Sequence, residues 1–133
     1  MNDFIIIIFA ILPGLLISWF IYQQDKYEQE QAIPLIICFA LGMLVTFPAL
    51  RIEEWADSLG FHESENVWLT LAVALVVVAF NEELFKFIAL CLYPFRQTFF
   101  NEPYDGIVYS VMIAMGFATL ENIYYVFLVG YED

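Results

Sequence analysis

The sequence predicts an all-α membrane protein, a bundle of four transmembrane helices with a short interfacial amphipathic helix. Three observations lead there. The chain of 133 residues is 62% hydrophobic, with a mean hydropathy of +0.76. Its apolar residues gather into four runs, at about 4–22, 34–50, 67–93 and 104–130. The segments between the runs are short and polar. About 20 apolar residues at 1.5 Å per residue suffice to cross ~30 Å of hydrocarbon, so runs of this size describe spans and not the core of a soluble domain. No internal repeat or low-complexity linker divides the chain, which reads as a single transmembrane helical domain over residues 1–133.

Residues 4–22 carry no charge, and Pro13-Gly14 predicts a kink within them. A cleaved signal peptide is the competing reading. The leader Met1-Asn2-Asp3 has no base, however, and no small-x-small cleavage site precedes the polar segment, so the run is read as a permanent span. The polar stretch 23–31 is short enough to make the first two helices antiparallel neighbours. The second span, 34–50, contains Gly42 and Pro48. After it, Ile52, Trp55, Ala56 and Leu59 share one helical face, the pattern of an amphipathic helix lying on the membrane surface and ended by Gly60. Residues 67–93 would be about 40 Å long if wholly helical, and are therefore expected to be tilted, protruding or broken near their polar cluster. Pro94 closes that span, a short turn follows, and residues 104–130 form the fourth.

The charge balance is acidic, −12 from 16 acids against 4 bases. That argues against nucleic acid as a partner and against a clamp for anionic lipids, both of which need Lys and Arg. Aromatic residues such as Trp19, Tyr22, Trp55 and Trp68 fit interfacial belts, with membrane lipid as the first partner. Cys38 and Cys91 lie in apolar runs, where a thiol behaves as a small hydrophobe. His62, in a polar loop with Glu63 and Glu65, reads as a solvated residue, and one histidine does not make a zinc site. No metal or cofactor is expected. Lys26 and Arg96 fall on one side and Arg51 on the other, which puts the two short turns in the cytoplasm and both termini outside.

The third run holds the first anomaly. Asn81-Glu82-Glu83 and Lys86 interrupt hydrocarbon, where one charged residue costs roughly 2.5–3.5 kcal/mol at mid-membrane and marks a functional site by default. Lys86 is i+4 from Glu82 and i+3 from Glu83, so one ammonium can partly neutralise either acid. Alternatively the span ends here and Lys86 snorkels to the headgroups. Residues 87–93 continue apolar for two more turns, against that alternative.

The fourth run repeats the anomaly with Glu121-Asn122. Asp105, beside Gly106 at the start of the run, reads as a helix N-cap. Gly106, Ser110, Ala114, Ala118 and Asn122 form a row of small residues four apart, expected to be where the third span packs closely. Depth counting at 1.5 Å per residue places Glu121 about 24 Å above Asp105 and Glu82 roughly 17–20 Å above the intervening turn. Glu82, Glu83, Glu121 and Asn122 can then face one cavity. Carboxylates clustered in low dielectric cannot all ionise, so at least one is expected to hold a proton. For Asn122 and Glu121 the bland reading is interhelical hydrogen-bond glue.

At these residues the chain resembles the PrsW family of intramembrane proteases, related to the CAAX prenyl-protease and bacteriocin-processing group. Glu82-Glu83-Leu84-Phe85-Lys86 is similar to its EExxK motif, Phe117-Ala118-Thr119-Leu120-Glu121 to its FxxxE motif, and Asp105-Gly106-Ile107-Val108-Tyr109 to its DGIxY entry. Asp25-Lys26-Tyr27-Glu28 is similar too. The resemblance covers residues 70–125 and implies peptide-bond hydrolysis in a bacterial plasma membrane, with a membrane-tethered regulator such as an anti-sigma factor as substrate. The family's third motif, a histidine in the next transmembrane helix, has no counterpart before Tyr131-Glu132-Asp133, so the match is to the N-terminal part of the family: a fragment or a shortened member.

The chemistry of the residues themselves assigns Glu82 as general base, Glu83 as the group orienting water or substrate, and Lys86 as the group tuning their charge. Glu121 is the second water-positioning group and Asn122 an oxyanion donor. The spacing leaves open which glutamate acts as base. Two rival readings remain, a proton or ion relay or transporter fragment, and a non-catalytic membrane interaction subunit. Homo-oligomerisation is left open as well.

Overall fold

The computed structural model describes residues 3–24, 30–61 and 65–129, and among these the regular structure is helical, with no strand. His62, Glu63, Asp25-Lys26-Tyr27-Glu28 and Tyr131-Glu132-Asp133 lie outside the described residues. The all-α membrane class holds. Three helical stretches, Ile5–Gln24, Ala32–Ser58 and Pro103–Phe127, are long and apolar enough to cross a membrane by length and composition.

Helix α1, Asp3–Gln24, runs through Pro13 without a break. Helix α2, Ala32–Ser58, is the first correction to the sequence reading. It is one helix of 27 residues that passes through Pro48 and absorbs the segment expected to lie separately on the membrane surface. The physical reason is the lack of a stop signal. Pro48 removes one N–H only, and no glycine intervenes before Gly60, whose φ of +91° ends the chain's helical course. The extension keeps an inward face, since Ala49, Leu50 and Ala56 are buried.

The third stretch is a composite. Helix α3, Val67–Val73, opens with the Asn66 side chain accepting the Trp68 N–H at 3.0 Å. A six-residue π-helical segment, Ala74–Ala79, follows, and α4, Phe80–Leu92, continues from it. Of the options expected for this long run, the chain takes a change of helical winding immediately before the polar cluster. Wider π turns shift the angular phase of everything after them and recur at functional sites. A turn of 3₁₀ helix, Pro94–Arg96, leads to α5, Pro103–Tyr124, which ends in a π-helical turn, Tyr125–Val129.

Asp105 stabilises the start of α5 from inside the helix and not as its N-cap, which is Glu102. One Asp105 oxygen, Oδ2, accepts the N–H groups of Asn101 and Glu102, each at 2.8 Å. That satisfies donors a helix start leaves open and explains a carboxylate that is buried.

Helix α5 is central and packs against α1, α2 and α4. The core gathers Leu35 and Cys38 of α2, Ala89 of α4, and Val108, Tyr109, Met112 and Ile113 of α5. Tyr109 donates its hydroxyl to Glu30 and packs against Phe99 and Phe100, with ring centroids at 5.2 and 6.2 Å. The chain entering α2 and the turn before α5 therefore meet at one end of the bundle. Trp19, Trp55 and Trp68 are exposed, as belt residues should be.

The second correction concerns close packing. The row Gly106, Ser110, Ala114 and Ala118 was expected to meet the third span. Instead α5 makes its backbone-to-backbone approach to α2: a Cβ on Gly42 would drive into the carbonyl of Ile113, and one on Gly116 into that of Phe39. Thr46 sits in the same seam, donating to the Gly42 carbonyl at 3.0 Å and reaching the Phe117 carbonyl at 3.5 Å. Small residues permit contact only where the partner is small too, and α2 offers Gly42 while α4 offers Phe87 and Leu90. Ser110 and Ala114 consequently line an open groove of about 290 Å³ against Glu83, Lys86, Phe87 and Leu90.

Candidate functional site

The site begins in the first turn of α4, where successive residues step by about 100° and so face different neighbours. Asn81 turns to α2. Its side-chain amide donates to the Ala49 carbonyl at 2.9 Å and to Glu53 Oε1 at 3.0 Å, and the residue is buried. Glu82 turns to α5, and Lys86, one turn on, reaches back to it at 3.3 Å and to Glu83 at 2.9 Å. The two glutamates are not equivalent. The Glu82 side chain is 17% exposed and that of Glu83 is 73% exposed, so Glu82 is interior while Glu83 stands at the open groove.

Helix α5 supplies the other wall. Phe117 is fully buried, and its ring lies under the Lys86 ammonium at 4.5 Å from the centroid. This geometry suits cation–π attraction, strongest when desolvated. Glu121 follows one turn later on the same face, in electrostatic contact with Glu82, Lys86 and Glu53. Three helices thus bring carboxylates to one place: α2 through Glu53, α4 through Glu82 and α5 through Glu121.

Of the residues singled out in the sequence, Glu82, Lys86 and Glu121 come together, with Glu83 at the rim. Asn122 does not join them. Its amide donates to the Ala10 carbonyl of α1 at 3.3 Å, an interhelical contact on the side of α5 away from Glu82. Glu53 was missed, because its segment was assigned to the membrane surface. A signal was available: Gly42, Thr46, Ala49 and Glu53 form a 4-3-4 stripe, so an unbroken helix carries Glu53 on the buried face of α2. Beside Glu53 a cavity of about 550 Å³, lined also by Glu54, Asp57, Tyr124 and Tyr125, opens between α2 and the end of α5.

Paired carboxylates from separate helices, with a cation tuning one of them, are suited to general acid–base work on a bound water. Among the described residues no three His, Cys, Asp or Glu side chains form a group able to hold a metal ion.

Comparison with known proteins agrees with the motifs. The family described as PrsW family intramembrane metalloprotease matches residues 30–133. The chain is 34% identical over 123 residues to a Protease PrsW of Geobacillus kaustophilus, covering 92% of this chain and 52% of the relative. It is 35% identical over 130 residues to a Protease PrsW of Bacillus subtilis, covering 97% and 57%. With a Protease PrsW of Clostridioides difficile it shares 34% identity over 118 residues, covering 89% and 49%. The chain thus spans about half the length of the curated relatives it matches. No solved structure matches it significantly. The metal named in the family description does not fit the described residues: Glu82 is engaged by Lys86 and Glu53 by Asn81, and with Glu121 they do not form a group of three able to hold an ion.

Proposed function

Because this chain belongs to the PrsW family of intramembrane proteases, we propose that it forms the glutamate-bearing half of an intramembrane peptidase. Its substrate is a membrane-tethered regulatory protein of the anti-sigma-factor kind. The observation that carries this reading is the meeting of Glu82 and Glu121 from two helices with Lys86 alongside. Glu82, interior and ion-paired, is the base that takes a proton from water as it attacks the carbonyl and returns it to the leaving amine. Glu121 holds that water from the opposite side, and Lys86 tempers the charge of the pair. Glu83, exposed at the groove between α4 and α5, contacts the incoming peptide.

The setting is the bacterial plasma membrane. The positive-inside tendency, with Lys26 and Arg96 on one side and Arg51 on the other, supports an orientation with the short turns in the cytoplasm and both termini outside.

The test is comparison of membrane-protein termini, by mass spectrometry, in bacterial cells expressing the chain or its Glu82→Gln and Glu121→Gln forms. Single-span proteins cut by the wild type and spared by both variants support the reading. Identical termini in all three overturn it, and proton flux in reconstituted vesicles without cleavage would identify an ion relay instead.

A further inference from the structure

We infer that Asn81 is a positioning residue: with Glu53 as its anchor on α2, it sets the rotational phase of α4 and so holds Glu82 opposite Glu121. This rests on the peptidase reading for its functional consequence, but its geometry stands apart from it.

The need for such a residue follows from how α4 is attached. Neither α3 nor the π segment before it has a single buried residue, so little upstream packing fixes the angle at which α4 emerges. A π segment, which can relax toward α-helical winding, adds a further freedom, because gain or loss of one wide turn rotates all that follows. Within α4 only Asn81 and Ala89 are buried. Ala89 is featureless and can pack at several angles. Asn81 cannot, because its amide nitrogen makes two hydrogen bonds, to the Ala49 carbonyl at 2.9 Å and Glu53 at 3.0 Å, and a buried amide stripped of partners is costly. It lies two residues after the π segment and immediately before Glu82. Glu53 is itself in electrostatic contact with Glu82 and Lys86, so the latch and the site share one polar cluster.

The test separates the latch from the chemistry by exchanging the two functional groups. Asn81→Asp keeps the shape but replaces both donations with repulsion from Glu53 and from the Ala49 carbonyl. Adding Glu53→Gln restores one α2–α4 hydrogen bond in the reverse direction, from the Gln amide to the Asp carboxylate. In detergent-solubilised full chain, amide exchange over residues 74–86 is expected to quicken by about 10-fold or more in Asn81→Asp, where local opening is easier, and to return most of the way in the double variant. Turnover of a single-span substrate found in the cell experiment should fall about 100-fold in kcat with KM little changed, as small misplacements of reacting groups do, and recover in the double variant. Glu53→Ala, which spares the Ala49 bond, gives an intermediate exchange rate and guards against poor folding of the aspartate form. Exchange over 74–86 that is unchanged in Asn81→Asp and Glu53→Ala overturns the latch. Faster exchange with unaltered kcat overturns its role in positioning. A wild type without any cleavage, but with the exchange pattern as expected, leaves the latch standing and removes the peptidase reading alone.

Discussion

Lys86 is held on two sides, its ammonium 3.3 Å from Glu82 and 4.5 Å above the ring of Phe117. A cation placed this way closes the α4–α5 junction electrostatically where the helices do not close it by packing. Lys86→Met leaves a part-buried carboxylate without its partner; breaking a fully buried pair costs about 3–5 kcal/mol, and this partly exposed one should cost less. A drop in melting temperature in detergent is expected, with Lys86→Arg, which keeps a cation beside Glu82, recovering most of it. An unchanged melt for Lys86→Met would show that the pair is solvated.

Phe117→Leu tests the other side of that cation. It removes the ring face, worth about 0.5–2 kcal/mol to a desolvated ammonium, on top of a core volume change. The double variant with Lys86→Met should be less destabilised than the sum of the singles, because the two residues are in contact. Strict additivity in chemical denaturation would mean the ring and the ammonium do not interact.

The exposure difference between Glu82 and Glu83 separates their substitutions. Glu82→Gln should reduce any cleavage by about 10²–10⁴-fold, the contribution of a positioned acid–base group. Glu83→Gln should leave stability within about 0.5 kcal/mol, as surface changes do, and act on substrate affinity. Initial rates against substrate concentration distinguish the two, since a pure kcat effect for Glu83→Gln would place it among the reacting groups.

Close packing makes an opposite pair of expectations on α5. Gly116→Ala forces a Cβ into the Phe39 carbonyl and should destabilise by about 1–3 kcal/mol, the cost of overpacking. Ala114→Leu, at the open groove, should cost little. Melting curves that reverse this order would return the small-residue row to its expected place against α4.

The four apolar runs and the buried acids were legible because hydropathy and charge are local properties of the chain. Which face of a helix meets which partner is not local. Ser110 and Ala114 looked like a packing surface on α5 alone, and only the bulk of Phe87 and Leu90 across from them makes that face a groove. Asn122 neighbours Glu121 in sequence, yet the 100° step of the helix sends it to Ala10 of α1. Glu53 was hidden by its surroundings, since the charges of residues 51–57 imitate a surface helix until Asn81 supplies a buried donor for one of them. The π segment has no sequence signature in Ala74-Leu75-Val76-Val77-Val78-Ala79 that we can identify.

The glycine seam between α2 and α5 makes the bundle mechanically lopsided. Gly42 and Gly116 bring the backbones of α2 and α5 into contact, whereas α4 faces Ser110 and Ala114 of α5 across an open groove through the side chains of Glu83, Lys86, Phe87 and Leu90. A parting of the bundle along that groove would uncover Glu82 on α4 while leaving Glu121 on the closely packed α2–α5 pair.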